Sequence, residues 1–93
     1  MSIKKVVALM LLFSFTSAYA DIETDKNAGI CALYMSLRGK NSGSEVAIKL
    51  ADNQSRAYIF AKEWANANKS ANGLMALEGD SACKKIGLRP SQY

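Results

Sequence analysis

From Ile30 onward, apolar positions along this chain recur mostly at helical spacing. Ile30, Leu33, Tyr34 and Leu37 stand at i, i+3, i+4 and i+7, one face of a helix, with Cys31 and Met35 widening the stripe. Asp21, Glu23 and Asp25 sit near the start of this segment, where the helix dipole favours negative charge, and Arg38 sits near its end. Gly39 is placed to terminate the helix, and Gly39 to Gly43 reads as a polar loop.

A second series opens at Ser44, the expected N-cap, and runs toward Lys69. Ala47, Leu50, Ala51, Gln54, Ala57, Tyr58, Ala61, Trp64 and Ala65 keep helical spacing through the polar patch Asp52 to Ser55. The series fits either one helix of about 25 residues, ~37 Å long, or two helices bent near Asn53. With no Gly or Pro to interrupt it, the single long helix is expected. Asn66, Asn68, Ser70 and Asn72 then predict a turn.

The third segment covers Ala71 to Ile86, with Leu74, Leu77, Cys83 and Ile86 expected inward and Glu78, Asp80, Lys84 and Lys85 outward. Gly87 suits the left-handed position after a helix, Leu88 then folds back on the last turn, and Pro90 prevents continuation. Gly79 either breaks this helix or admits a close neighbour. Because no alternating strand pattern intervenes, the fold class predicted is all-α: a three-helix domain, or four-helix if the long segment is bent.

The N-terminal pattern differs. Lys4 and Lys5 precede an apolar run, Val6 to Phe15, broken only by Ser14, and Ala18-Tyr19-Ala20 gives the small-X-small signature of signal-peptidase cleavage. About ten apolar residues are too few to span a bilayer, which takes ~20 as a helix. Residues 1–20 are therefore read as a cleavable secretory signal and 21–93 as one mature helical domain with no stable membrane insertion. The short basic start points to a bacterial periplasmic or secreted protein.

That division changes what the charge means. The whole chain carries 12 Lys and Arg against 8 Asp and Glu, a net +4. Loss of Lys4 and Lys5 halves the excess, leaving too little to argue for nucleic acid. Export also changes what the two cysteines mean. In an oxidising compartment Cys31 and Cys83, 52 positions apart, are expected to form one disulfide joining the first and last helices. No Cys-X-X-Cys spacing suggests a redox-active pair.

The chain has no His, which removes the usual base for nucleophilic catalysis and the usual zinc donor. No catalytic, metal-binding or cofactor-binding residues are assigned, and no cofactor is expected. What remains is surface. Tyr58, Ile59 and Phe60 are consecutive and cover about 200° of a helix, so an apolar patch is left exposed unless the helix is buried on most sides. Tyr34, Tyr58 and Trp64 are expected in the core, whereas Ile59 and Phe60, rimmed by Arg56, Lys62 and Glu63, form a candidate partner surface. Lys84, Lys85 and Arg89 add a basic cluster that complements a helix C-terminus or meets an anionic partner.

These observations predict a small exported, non-enzymatic protein that binds another macromolecule, as an inhibitor, an immunity-type protein or a stress-related binder. The partner expected is an envelope protein or an anionic envelope component. Two alternatives come from other classes: an envelope hydrolase using paired carboxylates, for which Glu45, Glu63 and Glu78 are solvent-facing candidates, and a membrane-active polypeptide.

Overall fold

The computed structural model describes residues 22–68 and 72–93, and the regular structure there is entirely helical. The expected signal segment, residues 1–20, lies outside the described residues, as does the part of the expected turn at 69–71 and the side chain of Leu74. Four helices follow in order: α1 over residues 22–37, α2 over Asn41–Lys49, α3 over Gln54–Ala67 and α4 over Asn72–Lys85. A 3-10 turn, Pro90–Gln92, completes the chain.

Two helix ends are set by glycine at positive φ. Gly39 (φ 75°) follows α1, where Lys40 N–H reaches Met35 carbonyl at 2.8 Å and Gly39 N–H reaches Ser36 carbonyl at 3.0 Å. Gly87 (φ 82°) follows α4 with the same pair of bonds, from Leu88 to Cys83 and from Gly87 to Lys84, and Leu88 is buried as the pattern predicted.

The expected polar loop from Gly39 to Gly43 is shorter than the sequence implied. α2 begins at Asn41, its N-cap is Lys40 rather than Ser44, and Gly43 is buried inside the helix. A Cβ at position 43 would collide with the Met35 sulfur and the Tyr93 ring, so the missing side chain lets α2 start at once against α1. Lys40 Nζ donates to the carbonyls of Pro90 at 2.7 Å and Tyr93 at 3.0 Å, docking the C-terminal segment on the same corner.

The single long helix expected over Ser44 to Lys69 is corrected to two, α2 and α3, broken at Leu50–Asn53. Asn53 is extended (φ −132°) and its Oδ1 accepts from Arg56 N–H at 3.0 Å, a side-chain N-cap for α3. The N–H groups of Asp52 and Asn53 donate to Asp25 Oδ1 at 2.7 and 3.1 Å, so they are drawn out of any continuous helical ladder. Asp25, expected merely to complement the α1 dipole, is instead wholly buried between α1 and the α2–α3 junction.

The core is built largely from small residues. Ile30, Cys31, Ala32, Tyr34 and Met35 of α1 cluster with Ala47, Trp64, Ala82, Cys83 and Leu88. Helices meet closely where glycine permits. A Cβ on Gly29 would strike the Ala57 carbonyl of α3, and one on Gly79 would strike the Tyr34 ring, which settles Gly79 as a contact point inside an intact α4. The Cys31–Cys83 disulfide, with its Cα atoms 4.8 Å apart, ties α1 to α4 as expected.

Among the described residues, four large apolar residues expected on inward faces are exposed, Leu50 (43%) because it sits at the end of α2 where the expected long helix breaks. Leu37 (64% exposed) lies in the last turn of α1, beyond the Met35–Gly43 contact that takes α2 away from it. Tyr58 (60%) stands about 100° around α3 from Ala57, the residue pressed against Gly29. Leu77 (72%) projects more than about 100° from Gly79, Ala82 and Cys83, the buried face of α4.

Candidate functional site

Of the eight residues proposed as a partner surface, the structure places four in one stripe of α3. Arg56, Ile59, Phe60 and Glu63 follow i, i+3, i+4 and i+7 spacing. Ile59 and Glu63 are exposed, Phe60 is half-buried, and Arg56 is engaged at its inner end. Its Nε donates to Asp25 Oδ2 at 2.6 Å, so Arg56 is first a structural cation. Lys62 is exposed on another side of α3. Lys84 pairs with Asp80 at 3.2 Å one turn earlier, and Arg89 is exposed beyond α4. These residues do not define a single concave site.

Lys85 does line one. An open groove of about 500 Å³ lies between α1, the end of α3 and α4. The α1 wall is Glu23, Lys26, Asn27 and Ile30, again at i, i+3, i+4 and i+7, and the α4 wall is Glu78, Ser81, Ala82 and Lys85 at the same spacing. Trp64 and Asn68 close the α3 end, and Leu77 forms a lip. The buried floor is Ile30, Trp64 and Ala82, all members of the core cluster.

Trp64 is held firmly there. Its indole N–H donates to Glu78 Oε2 at 2.6 Å, joining α3 to α4, and Asn68 Nδ2 donates to the Trp64 carbonyl at 2.8 Å. Buried indole N–H groups usually find such a partner. The groove thus presents an apolar floor under walls that each carry one carboxylate and one ammonium group.

The sequence reading did not anticipate this groove: Glu23 was expected to complement the α1 dipole, Ile30 to face the core, and Glu78 and Lys85 to point outward from α4. The available signal was the repeated four-residue stripe on the first and last helices, which the expected disulfide already brought together.

A smaller, mainly apolar groove of about 150 Å³ lies among α1, α2 and α3, lined by Gly29, Ala32, Leu33, Ile48, Tyr58 and Ala61 with two serines. The exposed Tyr58 is one of its lining residues. Among the described residues no group of three His, Cys, Asp or Glu is arranged to hold a metal ion, and no helix is long and apolar enough to cross a membrane.

The electrostatic centre of the fold is Asp25. Burial raises its pKa, but the Asn53 N–H, the Arg56 side chain, the Asp52 N–H and the Arg56 charge together outweigh that effect, and the net shift is below the ordinary value of 3.8. Its bonds are all directed inward, which assigns it to architecture rather than to chemistry on a ligand.

No protein-family model, curated protein or solved structure matches this chain.

Proposed function

We propose that this chain is a small exported protein of the bacterial periplasm or exterior that acts by binding another envelope protein, without enzymatic turnover. The observation that supports binding most directly is the groove between α1, α3 and α4, which combines an apolar floor with charged walls on a disulfide-tied scaffold. Concave sites of roughly 300–1,000 Å³ with a few convergent polar groups are the usual form of ligand sites. The export half of the proposal rests on the N-terminal pattern, Lys4-Lys5, the apolar run and Ala18-Tyr19-Ala20.

The test has two arms. N-terminal sequencing of protein recovered from the envelope or medium is expected to begin at Asp21; an intact Met1 terminus there counts against processing. Photoreactive residues placed at Ser81, in the groove, and at Lys62, outside it, are expected to give a discrete protein adduct from at least one position in expressing cells. Absence of any adduct from both positions would overturn the binding role.

One observation favours a second reading. Glu78, one of the carboxylates considered for a paired-carboxylate hydrolase, shares this groove with Glu23, which was not among them. Glycan hydrolysis that survives purification and disappears in both Glu23→Gln and Glu78→Gln would replace binding with catalysis.

A further inference from the structure

The proposed binding groove has a chemistry narrow enough to choose among occupants. Its formal charges cancel, because Glu23 faces the space with Lys26 on one wall and Glu78 with Lys85 on the other. A polyanion such as nucleic acid, or an anionic lipid surface, meets a carboxylate on each wall, and like charges placed together oppose binding. A polycation meets an ammonium group on each wall. The occupant that fits is neutral overall, or carries both signs.

The floor narrows the choice further. Sugars bind aromatic side chains through an open ring face, but Trp64 is only 8% exposed and its indole N–H is committed to Glu78. The accessible apolar element is aliphatic: it is Leu77 at the lip, 72% exposed, since the floor residues Ile30 and Ala82 are as buried as Trp64. A single apolar side chain laid there covers Leu77, while Asn27, Asn68 and Ser81 supply hydrogen-bonding groups for a polar backbone. An extended peptide combines these properties.

We propose that this groove holds an extended segment of a partner protein, anchored by one aliphatic or aromatic side chain and carrying both acidic and basic residues beside that anchor. The proposal rests on the binding reading above and names the partner's chemistry at the same site.

The experiment selects a random peptide library against the disulfide-bonded protein purified from expressing cells. The chain has one Trp, so the Trp64 indole N–H resonance reports the groove directly. Enriched peptides are expected to carry an apolar residue flanked by both charges and to shift that resonance. They are expected to lose at least about tenfold in affinity against Leu77→Asp. Ser81→Arg, which fills the groove from another exposed position, is expected to lose binding similarly while circular dichroism and the disulfide are unchanged. No enrichment, or peptides indifferent to both substitutions, overturns the proposal. So does movement of the same resonance by chitotriose or by phosphatidylglycerol vesicles when the peptides fail. If peptides fail but a partner is trapped in cells from Ser81 or Lys62, the extended-peptide occupant falls and the binding role stands; if peptides fail and neither position gives an adduct, both fall.

Discussion

Asp25 remains ionised without contact with solvent only because three donors converge on it. Two are backbone N–H groups at the start of α3 and the third is the Arg56 guanidinium. The folded pKa lies below 3.8, so the native state binds this proton less readily than the unfolded chain. The stability contributed is therefore present above the unfolded value and is lost as pH falls below about 4 through the folded pKa. Asp25→Asn keeps the shape but loses the charge and turns an amide toward Arg56. It is expected to cost about 2–4 kcal/mol in urea unfolding at pH 7, with the gap to wild type narrowing at strongly acidic pH. Arg56→Ala is expected to cost less, about 1–3 kcal/mol, because the Arg56 side chain is 40% exposed and both backbone donors remain. An equal or larger loss for Arg56→Ala would mean that the backbone bonds contribute little. None of this was legible locally, since the donors stand 27, 28 and 31 positions beyond Asp25.

At the scale of elements, the sequence pattern succeeded where a signal is local and failed where it is distant. Gly87, Leu88 and Pro90 mark the end of α4 within four residues, and Gly39 marks the end of α1, because a left-handed glycine suffices to stop a helix. The α2–α3 break has no such marker. Helical periodicity passes through Asp52 to Ser55 unchanged, and only the Asp25 carboxylate reveals that the amides there point elsewhere. Periodicity likewise placed Tyr58 and Leu77 inward because it counts apolar residues and cannot see that Gly29 and Gly79 bring the opposing helices onto other faces. These glycines give a test of opposed effects. Glycine to alanine inside a helix gains about 1 kcal/mol from backbone propensity. Gly29→Ala is nevertheless expected to destabilise by about 1–3 kcal/mol, because the new methyl meets the rigid Ala57 backbone. Gly79→Ala meets the Tyr34 ring, whose displacement is resisted by the Arg38 guanidinium bonded to its hydroxyl at 3.2 Å, and a smaller loss is expected. Thermal unfolding of the two variants checks both the sign and the order. A stabilised Gly29→Ala would show that α1 and α3 can separate without penalty.

For the whole molecule, the disulfide and the groove are parts of one construction. Cys31 and Cys83 are adjacent in sequence to Ile30 and Ala82, the floor residues contributed by α1 and α4, so the covalent bond joins the two helices at the level of the surface proposed to bind. On the α4 side the buried residues are small, Gly79, Ala82 and Cys83, so few large side chains of α4 hold it to α1 otherwise. A link across 52 positions removes loop entropy from the unfolded chain corresponding to about 4 kcal/mol. That is comparable to the ~3–5 kcal/mol that a core in a domain of this size supplies. Cys31→Ala combined with Cys83→Ala is therefore expected to lose about 2–4 kcal/mol and to leave a large unfolded fraction at 37 °C, read by urea titration of Trp64 fluorescence. Peptide affinity gives an independent readout in the fraction that stays folded. If the bond sets the spacing of the groove walls, that fraction binds selected peptides more weakly than wild type; if the bond acts only on the unfolded chain, the folded fraction binds them equally well. Separating the two requires affinity corrected for the folded population, and the corrected value decides whether disulfide formation completes the groove or only stabilises the fold that carries it.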